Sequence, residues 1–241
     1  MPGLSNVEMF WKEKQQALQQ HMASGPWTTF IQWSTIQANM WVGEVAYIDE
    51  EYAALPPRWK AVLHEEGFGA TNIPRYRTSG NLIHQAYHLS VWEQVTGRRV
   101  EDLDRIVEVG GGYGALVRLV LRQGFAGKFY VYDLPELVKL QQHYLHFPPN
   151  FYPDTDPGYL PENPDLLISL YALSEFPPDL RARLMPRFHP RSWLLVYQDS
   201  FDEVDNLDYF ADFTLSRPEY RWQTQPTIGF ENHRYLIGDL E

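Results

Sequence analysis

The chain contains no cysteine. That excludes disulfides, thiolate metal sites, iron–sulfur clusters and cysteine nucleophiles together. Long apolar runs are missing too: no stretch approaches the roughly 18 residues of a membrane span. Positive charge is scarce, with 20 Lys and Arg against 31 Asp and Glu and a net charge of −11. A nucleic-acid partner is therefore not expected, because phosphate binding needs a basic surface. The start, MPGLSNVEMFWKEKQQ, has no basic stretch followed by an apolar run, and the end, GDLE, carries no lipidation or sorting signal. The expectation is a cytoplasmic protein with no membrane partner. There is no internal repeat and no low-complexity tract.

What is present is a globular balance, 44% hydrophobic and 21% charged over 241 residues, with aromatics at 15%. Residues 1–100 read as helical. Ser5 caps a helix through Met9, Phe10, Ala17 and Leu18 that ends at Ser24-Gly25-Pro26. A second apolar segment runs from Trp27 to Trp41. A third runs from Asp49 to Glu66, interrupted by Pro56-Pro57. After a loop, Ser79 caps a fourth helix that stops at Gly97.

From Arg105 the texture changes. Short apolar runs at 106–109, 129–132, 166–170 and 193–197 alternate with helical stretches at 113–123, 134–145 and 180–188. This alternation predicts a mostly parallel sheet with helices on both faces. Residues 204–215 read as helix. Tyr220 to Thr224 and His233 to Ile237 read as an antiparallel C-terminal hairpin closing the sheet. The expected organisation is a helical N-terminal cover, 1–100, packed on an α/β region, 101–241.

The most specific segment is Glu108-Val109-Gly110-Gly111-Gly112-Tyr113-Gly114-Ala115. Glycines after a first parallel strand allow a tight turn and close backbone approach to a ligand, and the next helix presents unpaired N–H groups to it. The following strand ends in Asp133, 21 residues after Gly112, where an acid can accept from two ribose hydroxyls. Gly110, Gly112 and Ala115 also satisfy the dinucleotide pattern G-x-G-x-x-G/A, so a nicotinamide cofactor competes. Glu108 favours S-adenosylmethionine (SAM), because an acid there suits the amino group of a methionine moiety and is unhelpful beside a pyrophosphate. The helices ahead of the first strand and the terminal hairpin point the same way.

The run I-V-E-V-G-G-G-Y-G-A-L, with Y-D-L-P-E-L and L-L-I-S-L-Y-A-L-S-E-F, resembles class I SAM-dependent methyltransferases. Within them it is similar to the sugar O-methyltransferases found near polysaccharide biosynthesis genes. The resemblance covers roughly Arg105 to Phe176. It implies a Rossmann-like methyltransferase sheet, SAM with S-adenosylhomocysteine (SAH) as product, and transfer of a methyl group to a hydroxyl. It also implies that Tyr113 and Gly114 line the methionine end, that Leu134 borders the adenine, and that Asp154 or Asp156 reaches the adenine amino group. Ser169, Leu170 and Tyr171 would lie beneath the cofactor.

A sugar hydroxyl is a poor nucleophile, so a base is sought. Glu175, beside apolar Leu173 and Phe176 at the carboxyl edge of the sheet, is one candidate. His84 and His88, at i and i+4 on the fourth helix, share a face and are others. Their spacing suits a metal, but no HExxH glutamate or third ligand is visible. Asp199, with Asp202, Glu203, Asp205, Asp208 and Asp212, offers hard oxygen ligands for a divalent ion, although a solvated acidic face explains the run more simply. Metal is thus a lesser alternative.

The run Arg181, Arg183, Arg187, His189, Arg191 reads as an exposed basic helix face, or else as a site for a nucleotide-sugar phosphate. Trp27, Trp33, Trp41, Tyr47, Trp59, Tyr76, Tyr87 and Trp92 serve mostly core or subunit packing, as in a homo-oligomer, with a few reaching a sugar-stacking pocket. The expected function is SAM-dependent O-methylation of a sugar or other small hydroxylated acceptor. The alternatives are an NAD-dependent oxidoreductase and a catalytically silent methyltransferase-like partner subunit.

Overall fold

The computed structural model describes residues 5–65 and 67–240. The first four residues, Glu66 (the expected end of the third helical segment) and the final Glu241 lie outside the described residues. Ser5 opens helix α1 (Asn6–Ser24) with a reciprocal capping box to Glu8. The second apolar segment is not one helix. It forms a 3-10 turn (Trp27–Gln32), breaks where Trp33 adopts extended backbone, and resumes as α2 (Ser34–Asn39). The third segment divides into α3 (Tyr47–Ala54) and α4 (Pro57–Lys60). Leu55, just before Pro56, is extended, as the proline ring demands of its predecessor. Ser79 caps α5 (Gly80–Thr96), and Gly97 ends it in the left-handed region at φ 70°.

The α/β part then runs β1 (Arg105–Val109), α6 (Ala115–Arg122), β2 (Lys128–Tyr132), α7 (Pro135–Leu145), β3 (Phe151–Asp154), β4 (Leu166–Leu170), α8 (Ala172–Glu175), α9 (Pro178–Leu184), β5 (Ser192–Gln198), β6 (Ser200–Phe201), β7 (Val204–Asp205), α10 (Asn206–Leu215), β8 (Tyr220–Thr227) and β9 (Phe230–Leu240). Helix α6 starts two residues later than the apolar pattern suggests, because Gly114 caps it at φ 99°. Helix α10 likewise starts at Asn206. Val204 and Asp205 pair with Phe201 and Ser200 in a small ribbon, and the Asp205 carboxylate caps the helix.

The main sheet has the order β3-β2-β1-β4-β5-β9-β8. Its first five strands are parallel, and β9 and β8 add antiparallel at the edge. Reversal of strand order between β1 and β4 opens a crevice at their carboxyl ends, where ligands bind in such sheets. Alternation along the strands divides the core. Ile106, Phe129, Ile168, Leu194 and Val196 pack into a cluster with α5, α6, α7 and the N-terminal helices. Val107, Val109, Leu167, Trp193 and Leu195 face the other way, toward Leu184, Phe188, Phe210 and Phe213.

The N-terminal cover therefore shares one continuous core with the sheet. One polar contact ties the cover to the sheet and another network braces the cover itself. Trp92 Nε1 donates to Ser192 Oγ on β5 at 2.8 Å. The buried Glu93 carboxylate receives Trp59 Nε1 at 2.8 Å, the Arg58 guanidinium and the Val100 N–H. Among the described residues no helix is long and apolar enough to cross a membrane.

Candidate functional site

β1 ends at Val109, and the chain turns through Gly110 (φ 79°), Gly111 and Gly112 (φ 56°) before α6. Gly110 donates its N–H to Tyr132 O at 2.9 Å, fastening the loop to β2. A Cβ on Gly110 would lie 2.1 Å from the Ala172 Cβ, so the loop threads between β2 and α8 only because no side chain is there.

The two acids flank this loop. Glu108 is 2% exposed and lines the cavity at the sheet edge, and its Oε2 has no hydrogen-bond partner. Burial, then the neighbouring Asp133, pushes its carboxyl well above the usual range. An ammonium placed there would restore the charged form and supply the missing donor. Asp133 Oδ1 accepts from Leu134 N at 2.8 Å, and Oδ2 accepts from Gln141 Nε2 at 3.0 Å. Burial raises the Asp133 carboxyl to about 7 against the opposing pull of the Leu134, Gly112 and Gly111 N–H groups. The residues thus fit the amino and ribose ends of SAM.

One cavity of about 1170 Å³ takes in Glu108, Gly110, Gly111, Gly112, Tyr113, Asp133, Leu134, Leu170, Tyr171, Glu175 and His84. The structure therefore brings most of the expected site residues together. Gly114 instead shapes the start of α6, with Leu145 and Gln141 over its Cα. Ser169 ties β1 to α8, because its hydroxyl donates to Val109 O and accepts from Leu173 N, both at 3.0 Å. Asp154 and Asp156 do not line the cavity. Asp154 Oδ1 accepts from the N–H groups of Thr155 and Asp156, and Asp156 caps the turn at Gly158.

Beyond the cofactor wall the cavity continues beneath Met40, Trp41 and Tyr47 from the cover and Phe230 and His233 from β9. Phe230 stacks on His233 with ring centroids 4.3 Å apart and lies 5.1 Å from Tyr47. Glu175, at the end of α8, lines the same cavity, and burial alone pushes its carboxyl up to about 7. Tyr171 precedes it at φ 69°, ψ −37°, a strained conformation of the kind held at functional sites, with its hydroxyl unpartnered.

His84 and His88 lie in a buried chain. Glu51 Oε1 and His84 Nδ1 are 2.8 Å apart, His84 Nε2 and His88 Nε2 3.1 Å, and His88 Nδ1 and the Tyr235 hydroxyl 2.7 Å. All four ring nitrogens are engaged within this chain. Burial, reinforced by His84 and His233, holds the His88 imidazole well below its usual pKa and therefore neutral. His84 reaches the cavity wall, whereas His88 does not.

The basic run is exposed at Arg183, His189 and Arg191 and half-buried at Arg187, but Arg181 departs from it. Arg181 is 1% exposed and donates to Phe176 O, Ser174 O and Asn206 Oδ1, holding α8 and α10 together. That site is closed to a phosphate; Arg183, paired with Asp179, remains at the cavity mouth. Asp199 is bound bidentately by Arg234 at 2.6 and 2.8 Å, so its oxygens are taken. Among the described residues no group of three or more His, Cys, Asp or Glu is placed to hold a metal ion. Of the aromatics, Trp41 and Tyr47 reach the cavity, while Trp59 and Trp92 are fully buried.

Sequence reasoning missed Trp11, Asn81, Gln198, Phe230 and His233, all of which line the cavity, and Gln141, which acts on Asp133. Only Asn81 carried a local signal, two residues beyond the Ser79 cap.

A family model described as an O-methyltransferase domain matches residues 74–152. No curated protein matches the sequence. Among solved structures, the methyltransferase domain of bacterial CtHen1-CN aligns with TM-score 0.53 at 10% identity, covering 65% of this chain and 97% of that one. A candidate RNA methyltransferase from Pyrococcus horikoshii aligns with TM-score 0.50 at 15% identity, covering 82% and 100%. Magnesium protoporphyrin IX methyltransferase from Synechocystis PCC 6803, solved with SAH, aligns at 0.48 with 16% identity, covering 81% and 100%. The fold is that of a Rossmann-like methyltransferase. The matched segment contains α5, the glycine loop and Asp133, and with the fold it supports a SAM-dependent methyltransferase.

Proposed function

We propose that the chain transfers a methyl group from SAM to a hydroxyl of a sugar or other small hydroxylated acceptor. The observation that carries this reading is one cavity lined by Glu108 at the start of the glycine loop, by Asp133 at the end of β2 and by a third acid, Glu175. When bound, SAM supplies an electrophilic methyl group. The residues of the chain do the rest. Glu108 takes the amino group and Asp133 the ribose. Trp41, Tyr47 and Phe230 cover the acceptor end and exclude water, which strengthens the electrostatics inside. Glu175, with a carboxyl near 7, accepts the proton of the acceptor hydroxyl.

A small acceptor is favoured over a macromolecule because α1 residues Val7, Trp11 and Gln15, together with α2 and β9, line the cavity and narrow it. The net charge of −11 argues in the same direction against RNA, which the Pyrococcus horikoshii neighbour is described as methylating. The His84–His88 chain positions the acceptor wall rather than acting as the base. Calorimetric titration with SAH tests the cofactor. Transfer of labelled methyl from SAM to a panel of glycans and small alcohols tests the acceptor class. Absence of SAH binding by the wild-type chain would sink the reading.

A further inference from the structure

Asn81 sits in the first turn of α5, within the N-terminal cover, yet its side chain faces the cofactor wall. It is 1% exposed. Its Nδ2 donates to the Tyr113 hydroxyl, which orients the amide and leaves Oδ1 buried without a donor. Glu108, which lines the same cavity, has the same defect at Oε2. Two buried acceptor oxygens without donors are costly, because each has left water without compensation. Their chemistry specifies the missing group: a compact cation with several N–H donors. A carboxylate or a phosphate would meet only acceptors there.

We propose that Asn81 Oδ1 and the Glu108 carboxylate together bind the α-amino group of the methionine moiety, making the helical cover a direct contributor to the cofactor site. This rests on the SAM reading above. An ammonium carries three donors, so it can serve both oxygens at once. The arrangement is built rather than incidental. Ser79 caps α5, and Gly80, whose added Cβ would lie 2.1 Å from Gly43 O, lets the helix start press against the connection between α2 and α3. Tyr113, held by the glycine loop, fixes the amide from the other side. The amino group then touches a residue from each part of the chain.

The test uses two ligands on the intact chain: SAH, and its analogue lacking the α-amino group (5′-thioadenosine carrying a 3-carboxypropyl chain). Calorimetry is run on wild type, Asn81→Leu and the smaller Asn81→Ala, with far-ultraviolet circular dichroism and melting curves establishing that each is folded. The expected result is about a tenfold or greater loss of SAH affinity in both variants, the scale of a hydrogen bond to a charged group. Affinity for the analogue stays within about twofold of wild type. Equal losses for both ligands, or unchanged SAH affinity, overturn the assignment of Asn81. Failure of wild type to bind SAH overturns the cofactor reading instead, so the two failures are distinct.

Discussion

The side-chain amide of Gln141 joins Asp133 to the glycine loop: Nε2 donates to Asp133 Oδ2 at 3.0 Å and to Gly112 O at 2.9 Å. The acid and the loop are therefore set as one unit, although they belong to different strand–helix connections. Asp133→Asn keeps the shape and removes the charge, and on the proposed reading it weakens SAH binding about tenfold or more. The sign of the pH dependence follows from the carboxyl near 7 in the ligand-free chain. Ribose hydroxyls donate to the ionised form, so affinity is full above pH 7 and falls as pH drops below it. Glu108, also raised, acts in the same direction with its ammonium. A flat SAH affinity from about pH 5.5 to 8.5 would contradict both assignments.

Glu175 has a separable role. Glu175→Gln is expected to lower single-turnover methyl transfer by about 10²–10⁴-fold while SAH affinity stays at the wild-type level. Because the base must be ionised, the wild-type rate rises with pH through about 7 and then levels off. An unchanged rate in the Glu175→Gln variant removes Glu175 as base.

Gly110 tests the loop itself. Alanine there combines φ 79° with a Cβ placed 2.1 Å from Ala172 Cβ. Gly110→Ala is expected to cost about 1–3 kcal/mol of stability from backbone strain and to abolish measurable SAH binding. Chemical denaturation and calorimetry read the two effects. A variant with wild-type stability and affinity would show that the loop has room to move.

The cover is held together internally at Glu93, whose side chain is 3% exposed beside Arg58. Glu93→Ala leaves Trp59 Nε1 and the Val100 N–H without their acceptor. The expected loss is about 3 kcal/mol or more, the scale of breaking a buried charged network from one side. Urea unfolding measures it. A loss under about 0.5 kcal/mol would mean that solvent replaces the carboxylate freely.

Much of the fold was legible because its signals are local. The caps Ser5 and Ser79, the stop at Gly97 and the apolar runs of β1, β2, β4 and β5 depend on residues within a few positions of one another. The breaks at Trp33 and Gly114 were less legible, since an apolar pattern continues through both while the backbone does not. Arg181 misled for a different reason. A run of arginines resembles an exposed face until backbone carbonyls from α8 surround one of them.

The order of residues alone determined the parallel core, the glycine loop and the spacing from Gly112 to Asp133, because strand, turn and helix alternation is written in periodicity and in glycine. Tertiary structure decided which polar atoms meet. Asn81 and Glu108 come to line one cavity, Gln141 reaches Asp133, and Phe230 from β9 packs against Tyr47. These pairs are brought together by sheet order and by packing of the cover, neither of which a single local segment encodes. The two histidines show the difference most plainly. Their i, i+4 spacing predicted a shared face, but only the placement of Glu51 and Tyr235 determined that every ring nitrogen would be taken.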